Sequence, residues 1–214
     1  MDEVILQDRI RWGLNVAARS IGQSTDAYRP IDSSEPLRSA NRFLRLRVAF
    51  ANIHGAFERP NAYDHPLWSG IFDAAYTRVG DYLVQSSGTW FIAAQQPLLP
   101  VLCVRADRIV SFTRPAAPTT TGVNAYGGAI AATNTPLLTN WPASVRASSR
   151  AGAPSADLPG DTSLSYWTVL LPAIPDVGLL VADLMTDDLG RNAVIASAEL
   201  TDLGWRLSVK QAAT

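Results

Sequence analysis

The chain has 214 residues, of which 47% are hydrophobic and 17% charged. That is enough for one large domain or two small ones. A net charge of −1 gives no global pull toward nucleic acid or an anionic membrane. No run approaches the roughly 18 apolar residues of a membrane span, and the single cysteine excludes an internal disulfide or a cysteine-built zinc site.

The first twenty residues carry acids and three arginines without an uninterrupted apolar run. No signal peptide is therefore expected, and the protein is read as made in a cytosol and soluble. Residues 3–21 predict an amphipathic helix, because Leu6, Ile10, Leu14, Ala17 and Ile21 recur at steps of four, four, three and four. Asp2 is its expected N-cap and Gly22 its C′ residue. The apolar face needs a partner, either the chain's own β structure or a neighbouring subunit. Trp12 stands off that stripe.

Residues 23–41 read as an extended arm, since Pro30 and Pro36 block a helix and the polar residues supply no core. The run 42–50, RFLRLRVAF, alternates and predicts a strand with Arg42, Arg45 and Arg47 on its outer side. Residues 51–68 hold both histidines and several turn formers, with Trp68 at the end of this arm. Residues 69–78 suggest a short helical turn.

Two stretches then say nearly the same thing. Residues 79–114 and 177–211 each open with Val-Gly and a short apolar strand. Each continues through a glycine turn (Gly88, Gly190) into a second strand, and each ends in a basic, β-rich strand. That predicts a duplicated β unit, with Val79-Gly80 matching Val177-Gly178 and Phe91-Ile92-Ala93 matching Val194-Ile195-Ala196. Pro97 and Pro100 mark a bend. Residues 115–139 form a long Thr/Ala/Gly/Pro segment, expected as a loop docking on a partner or a linker between the units. Trp141–Val145 and Trp167–Leu171 predict further strands. The expected fold class is mainly β: two small barrel-like or sandwich-like units, 42–114 and 140–214, after an N-terminal helix and arm at 1–41.

Chemistry is sparse. His54, Glu58 and His65 are the one candidate metal cluster, but their spacing misses the helical H-E-x-x-H pattern and Pro60 and Pro66 break any shared face. The chain lacks a G-x-S-x-G elbow for a Ser-His-Asp site. Asp187-Asp188 and Asp157 with Asp161 could pair as glycosidase carboxylates, yet they lie in expected turns where aspartate is favoured for backbone reasons. Phosphate-binding glycine loops are missing too. Cys103, inside Val101-Leu102-Cys103-Val104, reads as a small core residue. Trp90 and Trp205 read as core anchors, Trp12 and Trp68 as interface anchors. No catalytic residue, cofactor or metal is expected.

The charged fraction is low against a typical ~25%, which suits a surface partly covered by neighbours or simply a chain rich in small residues. Every basic residue but Lys210 is arginine, a bias that favours fixed interfaces and that GC-rich coding would also produce. Residues 1–60 hold nine arginines against seven acids. Leu6, Ile10, Trp12, Leu14, Ile21, Arg42, Arg45, Arg47 and Trp68 are the candidate interface residues.

The run GDYLVQSSGTWFIAAQQPLLPVLCVRADRIVSFTR resembles a pattern in structural proteins of tailed bacteriophages and prophages. In that pattern a small β-barrel opens with Gly-Asp and two apolar residues, passes through Gly-Thr-aromatic-apolar-Ile-Ala, and closes on proline, apolar residues and a later arginine. The opening LQDRIRWGLNVAARSIGQSTDAYRP and the ending AELTDLGWRL are similar to segments of phage minor structural proteins. The resemblance touches three segments and under half of the chain, and the duplication and helical arm depart from a minimal neck protein. It implies a non-enzymatic virion subunit of the head–tail connector, neck or tail, assembled in the host cytoplasm. It also implies partners: copies of itself in a ring, portal, adaptor or tail-tube proteins, and passing contact with packaged DNA. A soluble ligand-binding β module, such as a carbohydrate-binding domain with aromatic platforms, is the alternative. A hydrolase using His54 or His65 stands behind both.

Overall fold

The structure, a computed structural model, describes residues 3–52, 66–115, 134–148, 165–174 and 176–212. The described residues form one α-helix and two closed six-stranded barrels in tandem. The helix α1 spans Glu3–Ile21. The first barrel holds β1 (Gln23–Tyr28), β2 (Arg42–Asn52), β3 (Leu67–Ile71), β4 (Tyr82–Gln85), β5 (Gly88–Ala94) and β6 (Val101–Ala106), in the order β1-β2-β3-β6-β5-β4. The second holds β7 (Arg108–Arg114), β8 (Thr135–Ala147), β9 (Tyr166–Leu171), β10 (Leu184–Asp187), β11 (Asn192–Thr201) and β12 (Gly204–Gln211). Its order, β7-β8-β9-β12-β11-β10, is the same circuit six strands later. Every pairing is antiparallel. Closure leaves neither sheet a free edge, which removes the usual template for strand addition.

The duplication read from sequence is present and extends further than the two matching stretches. β5 carries a bulge between Ile92 and Ala94, and β11 carries one between Ile195 and Ser197. Ile92 donates its N–H to Asp81 O and Ile195 to Asp183 O, both at 2.9 Å. Ile92 and Ile195 therefore coincide, as expected. At the start of the unit the expected alignment is wrong by four residues. Gly80 and Ala182 each donate to the carbonyl of that isoleucine at 2.9 Å, so Val79-Gly80-Asp81 matches Val181-Ala182-Asp183. The glycine at 178 drew the sequence comparison to the wrong place.

Three segment boundaries also differ. The arm at 23–41 begins as a strand: Thr25 and Ala27 are buried, and Gln23–Tyr28 pairs with β2 and β4. Thr25 pairs with Leu46 and Ala27 with Leu83, which puts larger apolar residues opposite these small ones. Residues 69–78 are the end of β3 followed by a 3-10 turn, Ala74–Tyr76, with Asp73 Oδ1 accepting from Ala75 N at 3.1 Å. The unit boundary falls at Asp107, between β6 and β7. β7 already belongs to the second barrel and β8 begins at Thr135, so the linker expected at 115–139 does not fall between the two units in the chain. Residues 116–133 lie outside the described residues, as do Asp2, His54, Glu58, His65, Asp157 and Asp161.

Each barrel encloses its own core. Ala27, Val48, Phe72, Leu83, Trp90, Ile92, Val101 and Cys103 fill the first, joined by Ala18 of α1. Cys103 is fully buried, and burial pushes its thiol well above its ordinary value. Alternate residues point the other way. Tyr28, Tyr82, Phe91, Val104 and Leu67 are successive cross-strand partners, so they form one row on the outer face. This row packs into the hydrophobic cluster of the second barrel. Tyr82 is fully buried there; its hydroxyl donates to Pro142 O at 2.8 Å and its ring meets Trp141 edge-on at 6.1 Å. Trp141 Nε1 donates back to Ser33 O at 2.9 Å. The Tyr82 hydroxyl and the Trp141 indole N–H are thus both satisfied within an apolar seam.

α1 lies across β2 and β3. It seats most closely through Ala18, 1% exposed, with Ile10, Leu14 and Ala17 of the expected apolar stripe half-buried and its ends, Leu6 and Ile21, exposed. Asn15 Nδ2 reaches Asp73 at 3.4 Å and Gln7 accepts from Leu98 N at 2.6 Å. A Cβ at Gly22 would collide with the Ala18 carbonyl and come within 3.0 Å of Val48 backbone. Glycine ends the helix there by allowing close approach.

Candidate functional site: barrel mouths and the exposed helix

Both barrels place β-strand ends at an equivalent mouth, and the residues there differ. In the second barrel the mouth is filled from within. Arg191 Nε donates to Asp187 Oδ2 at 2.6 Å, and its guanidinium lies 4.8 Å from the centroid of Trp167. Asp187 also accepts the backbone N–H groups of Leu189 at 3.1 Å and Arg191 at 2.9 Å. Burial pushes the Asp187 carboxyl up, but the hydrogen bonds and charge of Arg191 outweigh it and leave the group below the usual carboxylate value.

Strand register gives the equivalent positions in the first barrel. Trp68 on β3 stands where Trp167 does, Gln85 where Asp187 does, and Gly88 where Arg191 does. The arginine–aspartate plug is not repeated at these positions. What is left is a cleft of about 400 Å³ lined by Phe50, Trp68, Gln85, Ser87, Trp90 and Arg105, with Ile21 of α1 among the other lining residues. Phe50 stacks on Trp90 at 4.1 Å and 14°. Gln85 Nε2 donates to Thr25 Oγ1 at 2.7 Å and Val48 O at 2.9 Å, and Ser87 Oγ donates to Gln85 Oε1 at 3.1 Å. Gly88 has φ +150°, and a Cβ there would come within 3.2 Å of the Trp90 ring and 3.6 Å of Arg105 Nε. Arg105 is exposed at the rim, 5.9 Å over Trp90. Among the described residues no carboxylate forms an ion pair with it.

A second shared feature is structural. Asp81, 1% exposed, accepts Arg29 Nε at 2.9 Å and Nη2 at 2.7 Å; Asp183, 2% exposed, accepts Arg114 Nε and Nη2 at 2.8 Å. Each carboxylate also accepts a backbone N–H three residues upstream, from Arg78 and Leu180. These forked pairs pin the turn before β4 and β10 to the end of β1 and β7.

The sequence-picked interface residues scatter. Trp12 is 70% exposed and Ile21 66%, Leu6 is also exposed, while Ile10 and Leu14 are half-buried. Arg45 and Arg42 pair with Asp26 at 2.7 and 3.6 Å, and Arg47 donates to Gly22 O at 3.0 Å. Trp68 does not sit in an arm: it is half-buried on β3, opposite Cys103. Trp90 and Trp205 are buried, as read from sequence. Sequence reasoning missed a second helical stripe. Ile5, Trp12 and Val16, at i, i+7 and i+11, share one face of α1 and are all exposed. It also missed Phe50, Gln85 and Arg105, whose meeting depends on barrel register.

Among the described residues, no group of three or more His, Cys, Asp or Glu is placed to hold a metal ion, and no helix is long and apolar enough to cross a membrane. No protein family, curated protein or solved structure matches the chain.

Proposed function

We propose that the chain is a non-enzymatic structural subunit of a tailed-phage or prophage particle, working at the head–tail connection or in the tail and assembling into a ring with its own copies. The observation that carries the reading is the outer surface of α1: Ile5, Trp12 and Val16 are 50%, 70% and 45% exposed on one face. An apolar helical face of that kind, on a chain whose barrels have closed their own edges, is suited to bury against a neighbour. The tandem of like barrels supports the same reading. Two similar units per chain let a ring of few subunits meet a partner of twice its symmetry.

The test is the triple substitution Ile5→Asp, Trp12→Asp, Val16→Asp, which leaves the Ala18 seat untouched. The wild-type protein is expected to form closed rings by negative-stain imaging and mass photometry, and the variant to stay monomeric with an unchanged β circular-dichroism spectrum. A wild-type protein that is monomeric at every concentration, with or without particle components, overturns the proposal.

A further inference from the structure

We infer that the mouth of the first barrel is a binding site for a planar apolar group bearing a carboxylate. The second barrel shows what this architecture does with the space: it places a planar charged group, the Arg191 guanidinium, over Trp167 and neutralises it with Asp187. The first barrel keeps the platform, Trp68, and removes the occupant, since Gly88 replaces Arg191. It also reverses the charge. Asp187 becomes neutral Gln85, and Gln211, the partner of Ala193, becomes Arg105, the partner of Trp90. A cationic ligand would therefore meet Arg105 and no acid among the lining residues. An anion would meet a cation unpaired among the described residues, above walls made by Phe50, Trp68 and Trp90. The cleft of about 400 Å³ admits one or two rings, within the range of small-ligand sites. An aromatic carboxylate satisfies both demands: ring against the tryptophans, carboxylate on the guanidinium.

The same chemistry is offered by a free aromatic acid or by an aromatic residue at the C-terminus of a polypeptide. The experiment uses the intact chain. Indole-3-acetate and its uncharged amide are titrated by calorimetry, with the indole N–H signals followed by NMR. The acid is expected to bind saturably, at least about tenfold more tightly than the amide, and to shift the Trp68 and Trp90 signals. Arg105→Gln, at an exposed position, should fold normally and erase the difference between acid and amide; Trp68→Ala should weaken both. No saturable binding, equal binding of acid and amide, or an Arg105→Gln variant that keeps the preference each overturns the site. A tripeptide ending in tryptophan with a free carboxylate is run beside the free acid. If the peptide binds more tightly, the site reads a chain end. If it binds more weakly, the site takes the small molecule.

Discussion

The two barrels run the same circuit of strands, share a bulge in the fifth strand, and pin the same turn with a buried arginine–aspartate fork. They part company at two places. At the mouth, the second barrel closes itself with Arg191 and Asp187 while the first leaves a cleft. On the outer row, the first barrel presents Tyr28, Tyr82, Phe91, Val104 and Leu67 and buries them in the seam, whereas the second presents Thr113, Leu184, Val194, Lys210 and Tyr166, all half-buried. A threonine and a lysine at matched positions make this row more polar than its counterpart in the seam. Repetition supplies the frame, and substitution on one face or at one end makes the two copies differ.

The buried indoles differ between the copies as well. Trp90 of the first barrel corresponds by register to Ala193 of the second, while Trp141 of the second corresponds to Leu46 of the first. Trp90 fills the first barrel's interior, whereas Trp141 packs into the seam, edge-on to Tyr82 and bonded to Ser33 O.

The forked pairs are where the comparison breaks most visibly. Asp81→Asn and Asp183→Asn each leave an arginine fork without its counter-charge beside a nearly inaccessible carboxylate site. Because the arginines are 30% and 37% exposed, water offsets part of the loss, and each change is expected to cost about 2–3 kcal/mol, toward or below the lower end for breaking a buried pair. Urea unfolding measures it. Similar costs in the two barrels would support a shared structural role; a cost confined to one would show that the other turn is held by something else.

Much of this was legible in the sequence, and the reasons for the remainder are physical. The helix bounds, the β class, the strand at 42–50 and the burial of Cys103 and Trp90 follow from local periodicity. β1 was not legible because Gln23–Tyr28 carries almost no apolar signal: a strand whose inward residues are Thr25 and Ala27 looks like an arm. The mouth was not legible at all, since Phe50, Gln85, Gly88 and Arg105 come from four strands that only register brings together. The charge reversal between Asp187 and Gln85 becomes visible only once the copies are aligned by topology.

The second-barrel plug is the next largest effect, and it titrates. The Asp187 carboxyl is held below its ordinary value of 3.8 in the fold. A lowered folded value means the contribution is complete above the unfolded carboxyl's value and is lost as pH falls through the folded one. Asp187→Asn should therefore cost about 1–2 kcal/mol near neutral pH, with the gap between wild type and variant in urea midpoint closing as pH falls below the ordinary carboxyl value. A gap that persists unchanged in acid would mean that the carboxylate's charge is not what holds Arg191.

The seam comes third. Tyr82→Phe keeps the ring against Trp141 and Phe91 but removes the donor to Pro142 O. The expected loss is about 1 kcal/mol, the worth of one hydrogen bond whose acceptor stays buried. If the barrels unfold as one cooperative unit, the urea slope should be unchanged and the midpoint lower. Two resolved transitions in the variant would show that this bond couples the barrels.

The smallest effect tests the alignment itself. Gly80 and Ala182 occupy the same turn with φ +92° and +73°. Both lie in the left-handed region, where a Cβ is penalised by roughly 1–2 kcal/mol in a regular helix and by less at a single turn position. A Cβ at Gly80 would meet only Ala173 O at 3.7 Å, an ordinary contact, so conformation and not space sets the cost. Gly80→Ala should destabilise by about 1 kcal/mol, and Ala182→Gly should stabilise by somewhat less, because the glycine also loosens the unfolded chain. The signs matter more than the sizes, and thermal melts of the two variants read them directly. Opposite signs place residues 80 and 182 at one position of a repeated turn. A destabilised Ala182→Gly would mean that the second barrel has rebuilt this turn around its alanine, and that the repeat begins only at the buried aspartate one residue later.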